Sequence, residues 1–566
     1  MNVRSLRAPG WIAVGCAVLI LVLLGAGVAV AFQKGALANS IDSIHNAVSS
    51  AKGTPTTAAA ADVYREAIVG APTMLNPLLA SSQPDRDLSA LIFSGLTRTD
   101  ATGGVVPDLA KSWQVSGDGK TYTFPLRDDV TWQDGQAFTS RDVLFTIRLM
   151  QDAAFPGDSG LADFWRSITV ETPDDHTVVC TLTKPFAPFL AYTSIGIVPQ
   201  HILGATKASD LASEPFNLHP VGTGPYAFAS LDSAKVEVVL KRYNDYYGAK
   251  PHLRELHFRS YRDAATAIHA AGTGEVDGVG YIPPNLLTDT KTLSDLADMK
   301  VYGPSLAGYT ALYFNLKQVA FAEQPVRQAL AQAVNRDDLV KNGLQGWGTA
   351  ASSNSPILPN SWAYTTQGVP QYTYSPDAAK QALDQAGWKV GSSGAREKNG
   401  QALAFTILTD NDPLHVAVAN LLAQEFSAVG CKVTVDAKSA NEVTQAIAAR
   451  RFDAALASWE GLAADPDPYP AWHSSQADTG YNFANYSNPQ ADTALENGRL
   501  TTDPAKRKDY YATFQQQFAT DVPSLILYYP QYHFAVSKRV TGVSADPLDE
   551  PSDRFRSIAS WQFTAP

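Results

Sequence analysis

"ALAFTILTDNDPLHVAVANLLAQEFSAVGCKVTVDA", residues 402–437, changes its apolar spacing twice in 36 residues. "ALAFTILTD" (402–410) is a strand-like apolar run, "HVAVANLLAQEFSAVG" (415–430) has the apolar spacing of a helix, and "CKVTVDA" (431–437) returns to strand character. A strand, a helix and a second strand in this order make a β-α-β unit, which belongs to an α/β domain with a mainly parallel sheet.

Upstream, "SPDAAKQALDQAGW" (375–388) reads as a helix capped by Ser375, with Pro376 at its first position and Gly387 at its end. "EQPVRQALAQAVNRDDLVKNGL" (323–344) is helical in spacing but interrupted by turn signals. "YTFPLRD" (122–128) and "HTVVCTLTK" (176–184) read as strands of an antiparallel layer. Between them, Asp134-Gly135 makes a tight turn, Thr139 with Asp142 forms a helix cap, and Val143, Ile147 and Met150 give that helix one buried stripe. The folded body begins near Val63 with the strand "VYREAIV", and Pro72, Asn76 and Pro77 forbid regular structure in the loop that follows. No internal repeat appears.

The 566 residues are 45% hydrophobic and 17% charged, a globular composition, and the formal net charge of -11 disfavours nucleic acid as a partner. Arg4 and Arg7 precede an unbroken apolar run from Trp11 to Phe32, long enough to span a bilayer and flanked by the charge that keeps its amino end in the cytoplasm. Two readings stand: an uncleaved membrane anchor, or a signal peptide cut after Ala31 or Ala38. Either exports the remainder to the outer face of the membrane, the periplasm or the exterior. Residues 34–62 read as a stalk, with a short helix on Leu37, Ile41, Ile44 and Val48. Cys180 and Cys431 are expected as buried free thiols.

Catalysis is not indicated. The chain lacks a Gly-rich phosphate loop ending in Gly-Lys, a Gly-x-Ser-x-Gly elbow and a His-Glu-x-x-His helix, and its ten histidines are scattered.

Five ordered blocks then resemble one family, the extracellular solute-binding proteins of bacterial ABC importers in the dipeptide, oligopeptide and nickel group, called family 5. They are residues 94–150, "PVGTGPYAF" (220–228), "GEVDGV" (274–279), residues 313–340, and "FDAALASWEGLAADPDPYPAWHSS" (452–475). The first block carries Pro107-Asp108-Leu109-Ala110, Trp113, Asp118-Gly119, Leu126-Arg127 and Asp134-Gly135 in the family's order. The resemblance implies a two-lobed α/β periplasmic-binding-protein fold of type II, with the peptide-binding group's extra lobe, behind the N-terminal transmembrane or signal helix (1–33). Lobe I would take 63–95, 220–305 and 525–566, the extra lobe 96–219, and lobe II 306–524. The crossings would be 307–315 and 521–529, and the lobes would close on a ligand by hinge motion.

The resemblance also implies the role: a monomeric component that captures di- or oligopeptides and delivers them to a permease served by cytoplasmic ATPases, without a cofactor. Peptide-binding members hold the α-amino group with a carboxylate three residues after a tryptophan, but here the residue three beyond Trp459 is Leu462. Glu460 and Asp465 are the two candidates to replace it. No Lys or Arg occurs between Lys341 and Lys380 or between Arg451 and Arg499, so the stretches expected to line the cleft offer rings and amides instead. That leaves an oligosaccharide as an alternative ligand. The contact candidates are Trp459, Glu460, Asp465, Trp347, Tyr313, Asn315, Asn482 and Thr223. A ligand-sensing receptor is a further alternative, and nickel is disfavoured because His473 is the only histidine in those stretches.

Overall fold

The computed structural model describes residues 62–233, 236–462 and 465–564. The apolar segment 11–32 and the stalk up to residue 61 lie outside the described residues. No helix among the described residues is long and apolar enough to cross a membrane.

Two mixed sheets form the framework. The first has seven strands in the order Met299–Tyr302, Phe534–Ser537, Gly278–Val279, Val63–Val69, Glu255–Tyr261, Glu237–Arg242, Tyr226–Asp232. The second has six: Thr349–Ala350, Ser524–Tyr529, Gly308–Phe314, Ala454–Glu460, Ala404–Asp410, Lys432–Lys438. A separate four-stranded antiparallel layer, including Thr121–Pro125 paired with Thr177–Leu182, belongs to the stretch inserted between the first two long strands of the first sheet.

The β-α-β unit forms around the helix Pro413–Ala428, with Ala404–Asp410 and Lys432–Lys438 parallel over seven residue pairs. The sheet as a whole departs from the mainly parallel arrangement expected of it. Gly308–Phe314 runs antiparallel to both its neighbours, and Thr349–Ala350 is antiparallel to Ser524–Tyr529. The physical reason is connectivity: Gly308–Phe314 arrives from the other sheet and Ser524–Tyr529 leaves for it, so neither is joined to its neighbour by a local crossover helix that would force them to run parallel.

The passages between the sheets differ from the expected crossings. Residues 308–314 and 524–529 are strands of the second sheet, and the chain passes over at 303–307 and 530–533, where Ser305 and Gln531 form an antiparallel bridge. Residues 525–529 therefore pair in the second sheet, although the sequence reading grouped them with the first lobe. Their side chains are buried throughout, and each backbone edge is taken by a neighbouring strand of that sheet.

The elements follow from their residues. Ser375 accepts from the Ala378 N–H to cap Pro376–Gln385. In Ser140–Gln151 the buried Asp142 carboxylate accepts the Thr139 N–H at 2.9 Å and also the Gln200 N–H at 2.9 Å, so one side chain closes the helix start and ties a second helix to it. The C-terminal 3-10 turns Pro551–Ser560 return to the first sheet through Arg554. Its fully buried guanidinium donates to Glu66 at 2.6 Å and to Asp87 at 2.6 and 2.7 Å. Cys180 and Cys431 are free and buried.

Candidate functional site

The strand Ala454–Glu460 runs down the middle of the second sheet and delivers Trp459 and Glu460 to its end, where Gly461 at φ 67° turns the chain into a Pro- and Asp-rich loop. Side chains alternate across a strand, so Trp459 and Glu460 leave it on opposite faces. The Trp459 ring is 4% exposed and meets Tyr481 and Phe483 at centroid distances of 5.8 and 6.5 Å. It lines a cavity of about 70 Å³ together with Leu462, Tyr309 and Ile357 from the second-sheet side and Thr102 and Tyr192 from the inserted stretch. That volume holds a few waters but not a peptide.

The loop is clamped from two helices. Arg507, in Pro504–Asp521, makes a bidentate pair with Asp465 at 2.8 and 2.6 Å, and Arg499, in Pro489–Leu500, makes one with Asp467 at 2.8 and 2.6 Å. The Tyr511 hydroxyl donates to the Pro466 carbonyl at 2.8 Å. Arg499 also lies 4.1 Å over the Tyr469 ring and 5.3 Å over Phe186 of the inserted stretch, so the clamp reaches across to the facing wall. Both aspartates at this end of the loop are thus tied down.

Glu460 is in a different position. Its carboxylate has no hydrogen-bond or ion-pair partner among the described residues. Burial pushes it up to about 7, against the pull of the nearby His415. His415 itself is paired with Asp410 at 2.9 Å; burial opposes its charge, but that hydrogen bond and the charges of Asp410, Asp412 and Glu460 prevail and raise it. Tyr281, from beside the first sheet, completes the surroundings: burial first, then the charges of Glu460 and Asp412, drive its hydroxyl well above the ordinary value. The charge of an acidic group on the second sheet is thus felt by a tyrosine that follows a strand of the first.

The other candidate residues take these places. Tyr313 is buried and stacked on Trp472 at 5.7 Å. Asn315 donates to the Phe452 carbonyl at 3.0 Å, and Asn482 to those of His473 and Tyr486 at 3.0 and 2.8 Å, so both amides hold the backbone around the loop. Thr223 is fully buried in a turn pressed against the end of Gln83–Ile92, where the Gly224 N–H donates to the Ile92 carbonyl at 2.7 Å. Trp347 stands apart from Trp459, edge-on to His533.

Sequence reasoning missed Arg499, Arg507, His415, Tyr281 and His533. The two arginines lie 32 and 42 residues from their aspartates, so a cation count within the loop could not find them. Only Asp412 ahead of Pro413 gave a local signal, that of a helix start facing the end of the strand Ala404–Asp410. Among the described residues no group of three or more His, Cys, Asp or Glu side chains is arranged to hold a metal ion.

Two sheets joined by two adjacent crossings define a two-lobed periplasmic-binding-protein fold. Residues 104–481 match the bacterial extracellular solute-binding proteins, family 5 (middle region), and the chain belongs to that family. It is 28% identical over 487 residues to the oligopeptide-binding protein AppA of Bacillus subtilis, covering 85% of this chain and 88% of that one. The crystal structure of AppA with a nonapeptide superposes with a TM-score of 0.67, covering 89% and 99% of the two chains at 27% identity. The dipeptide-binding protein of Escherichia coli is 28% identical over 503 residues, 85% of this chain and 91% of that one. NikZ of Campylobacter jejuni, solved with Ni(L-His), is 31% identical with a TM-score of 0.70, covering 88% and 99%.

Proposed function

We propose that the protein is the extracytoplasmic substrate-binding component of an ABC importer, capturing peptides between its two lobes and delivering them to a membrane permease. The observation that carries this reading is the match along nearly the whole chain to relatives named for oligopeptide and dipeptide binding, one of them solved around a nonapeptide. The protein acts by binding, not by catalysis. Closure is driven by a ligand that touches both lobes and so favours the closed form over the open one.

Within that reading, Glu460 is the anchor for the peptide's α-amino group, and Asp465 shapes the loop. Asp465 already spends both oxygens on Arg507, whereas Glu460 is free to accept a charge-assisted hydrogen bond. Trp459 and Leu462 line the small cavity on the other side of the strand. The segment 11–32 either tethers the protein to the membrane or directs its export, and the ATPases act through the permease.

The test is mass spectrometry of small molecules released on denaturing the full chain purified in mild detergent. Peptides in the eluate are the expected result. Hexose oligomers would replace this reading with the oligosaccharide one. The mass of the mature protein recovered from membranes separates a retained anchor from a cleaved signal.

A further inference from the structure

His533 and Trp347 meet where the lobes join, and three ring nitrogens there have no hydrogen-bond partner among the described residues. His533 lies in the second crossing, is 2% exposed, and has both ring nitrogens buried and unpaired. Gly303, in the first crossing, fixes that ring from behind: a Cβ there would lie 3.1 Å from the His533 Cδ2 and Nε2 atoms. Trp347 comes from the second lobe, in the loop between Leu339–Gly343 and Thr349–Ala350. Its ring stands edge-on to the imidazole at 4.7 Å and 85°, its buried indole N–H is unpaired, and it packs on the first-lobe cluster that contains Ile282 and Ala535.

Buried polar atoms nearly always have partners, so three unpaired in one contact between two elements mark a place where a polar group of another molecule belongs. Burial pushes the His533 imidazole down to about 4, so at neutral pH it is uncharged and carries one N–H. The indole supplies a second N–H. Two donors side by side, without a carboxylate among their partners, suit an oxygen acceptor. Gly346 and Gly348, at φ 87° and 149°, put the backbone on both sides of Trp347 in conformations that only glycine adopts without strain, which lets the chain carry the indole across to the other lobe.

We propose that Trp347 and His533 form the subsite for the oxygen end of the captured ligand, donating from the indole and imidazole N–H groups to its terminal carboxylate or to a backbone carbonyl. This rests on the peptide-binding reading above and extends it. Tyr281, whose hydroxyl feels the charge of Glu460, is followed by Ile282, whose N–H donates to the His533 carbonyl at 2.8 Å, so a short run of chain links the surroundings of the two groups. Because one donor belongs to the second lobe and the other to the crossing, the subsite is complete only when the lobes are together.

The test is calorimetric titration of the full chain, stripped of ligand and held in detergent, with pools of Ala-X-Ala tripeptides as free acids and as C-terminal amides. Wild type, Trp347→Phe and His533→Gln are compared, with thermal unfolding used to establish that each variant folds. The expected result is that wild type binds the acids about tenfold more tightly than the amides and that both variants lose this preference. If wild type binds acids and amides alike, and both variants lose about tenfold for each pool, the oxygen is a backbone carbonyl and the subsite stands. Folded variants that bind both pools as wild type does overturn the subsite and leave the peptide reading intact. No binding of either pool by wild type overturns the peptide reading itself.

Discussion

Arg507 and Asp465 lie 42 residues apart in the chain and face each other through two hydrogen bonds of 2.8 and 2.6 Å, with side chains only 7% and 16% exposed. That pairing decides what Asp465 does. Asp465→Asn removes the charge but leaves Arg507 buried, which is expected to cost about 3 kcal/mol of stability, read from urea unfolding. Binding of free and N-acetylated peptides should fall by the same factor, and a loss confined to free amino termini would make Asp465 a ligand contact.

Glu460 predicts a pH dependence with a definite sign. Its folded-state value near 7 lies above the ordinary 4.5, so between those values the folded chain keeps a proton that the unfolded chain has lost, and stability falls as pH rises through that window. Glu460→Gln removes the penalty. The variant should be more stable than wild type at pH 8 by about 1 to 3 kcal/mol, with the difference vanishing below about pH 4.5. Urea denaturation at four pH values measures this.

On the proposed function, the same group is expected to act on ligand affinity in the opposite sense. An ammonium group needs the ionised carboxylate, so binding of peptides with a free amino terminus should weaken as pH falls from 8 to 5, while N-acetylated peptides show little of this slope. Glu460→Gln should bind free peptides more weakly at pH 8 and lose the slope. Parallel slopes for the two peptide classes in wild type would remove Glu460 from the site.

Trp459→Ala should affect fold and binding together. The ring packs against Tyr481 and Phe483 and is 4% exposed, so truncation should cost about 3 to 5 kcal/mol of stability. Trp459→Phe keeps most of that packing, and its peptide affinity reports the ring's contribution to the cavity wall. Differential scanning calorimetry and peptide titration separate the two effects.

Arg554→Met leaves Glu66 and Asp87 as carboxylates without their cation in the first lobe, where their side chains are 2% and 3% exposed. Breaking one side of such a pair is expected to cost about 3 to 5 kcal/mol. The measurement is the urea midpoint, and a change under 1 kcal/mol would show that the C-terminal segment is held by packing alone.

Much of the fold was legible because its signals are local. Ser375 and Thr139 with Asp142 announced helix starts that form where the sequence put them, and the strands at 63–69 and 404–410 carry their own apolar pattern. The course of the second sheet was not legible. A run such as Ser524–Tyr529 looks the same whether it crosses between lobes or pairs inside one, and that choice depends on Gly308–Phe314, more than two hundred residues earlier.

The loop after Trp459 divides the same way. Most of the elements, the family, and the fact that Leu462 stands where a carboxylate was expected could be read along the chain. It took the folded chain to show that Asp465 is occupied by Arg507, that Glu460 has no partner among the described residues, and that His533 meets Trp347 with its nitrogens unpaired among them. Helix caps and strand periodicity act between neighbours along the chain and can be read there. The partner and protonation state of a side chain depend on burial and on charges brought in from distant segments, which exist only once the chain has folded.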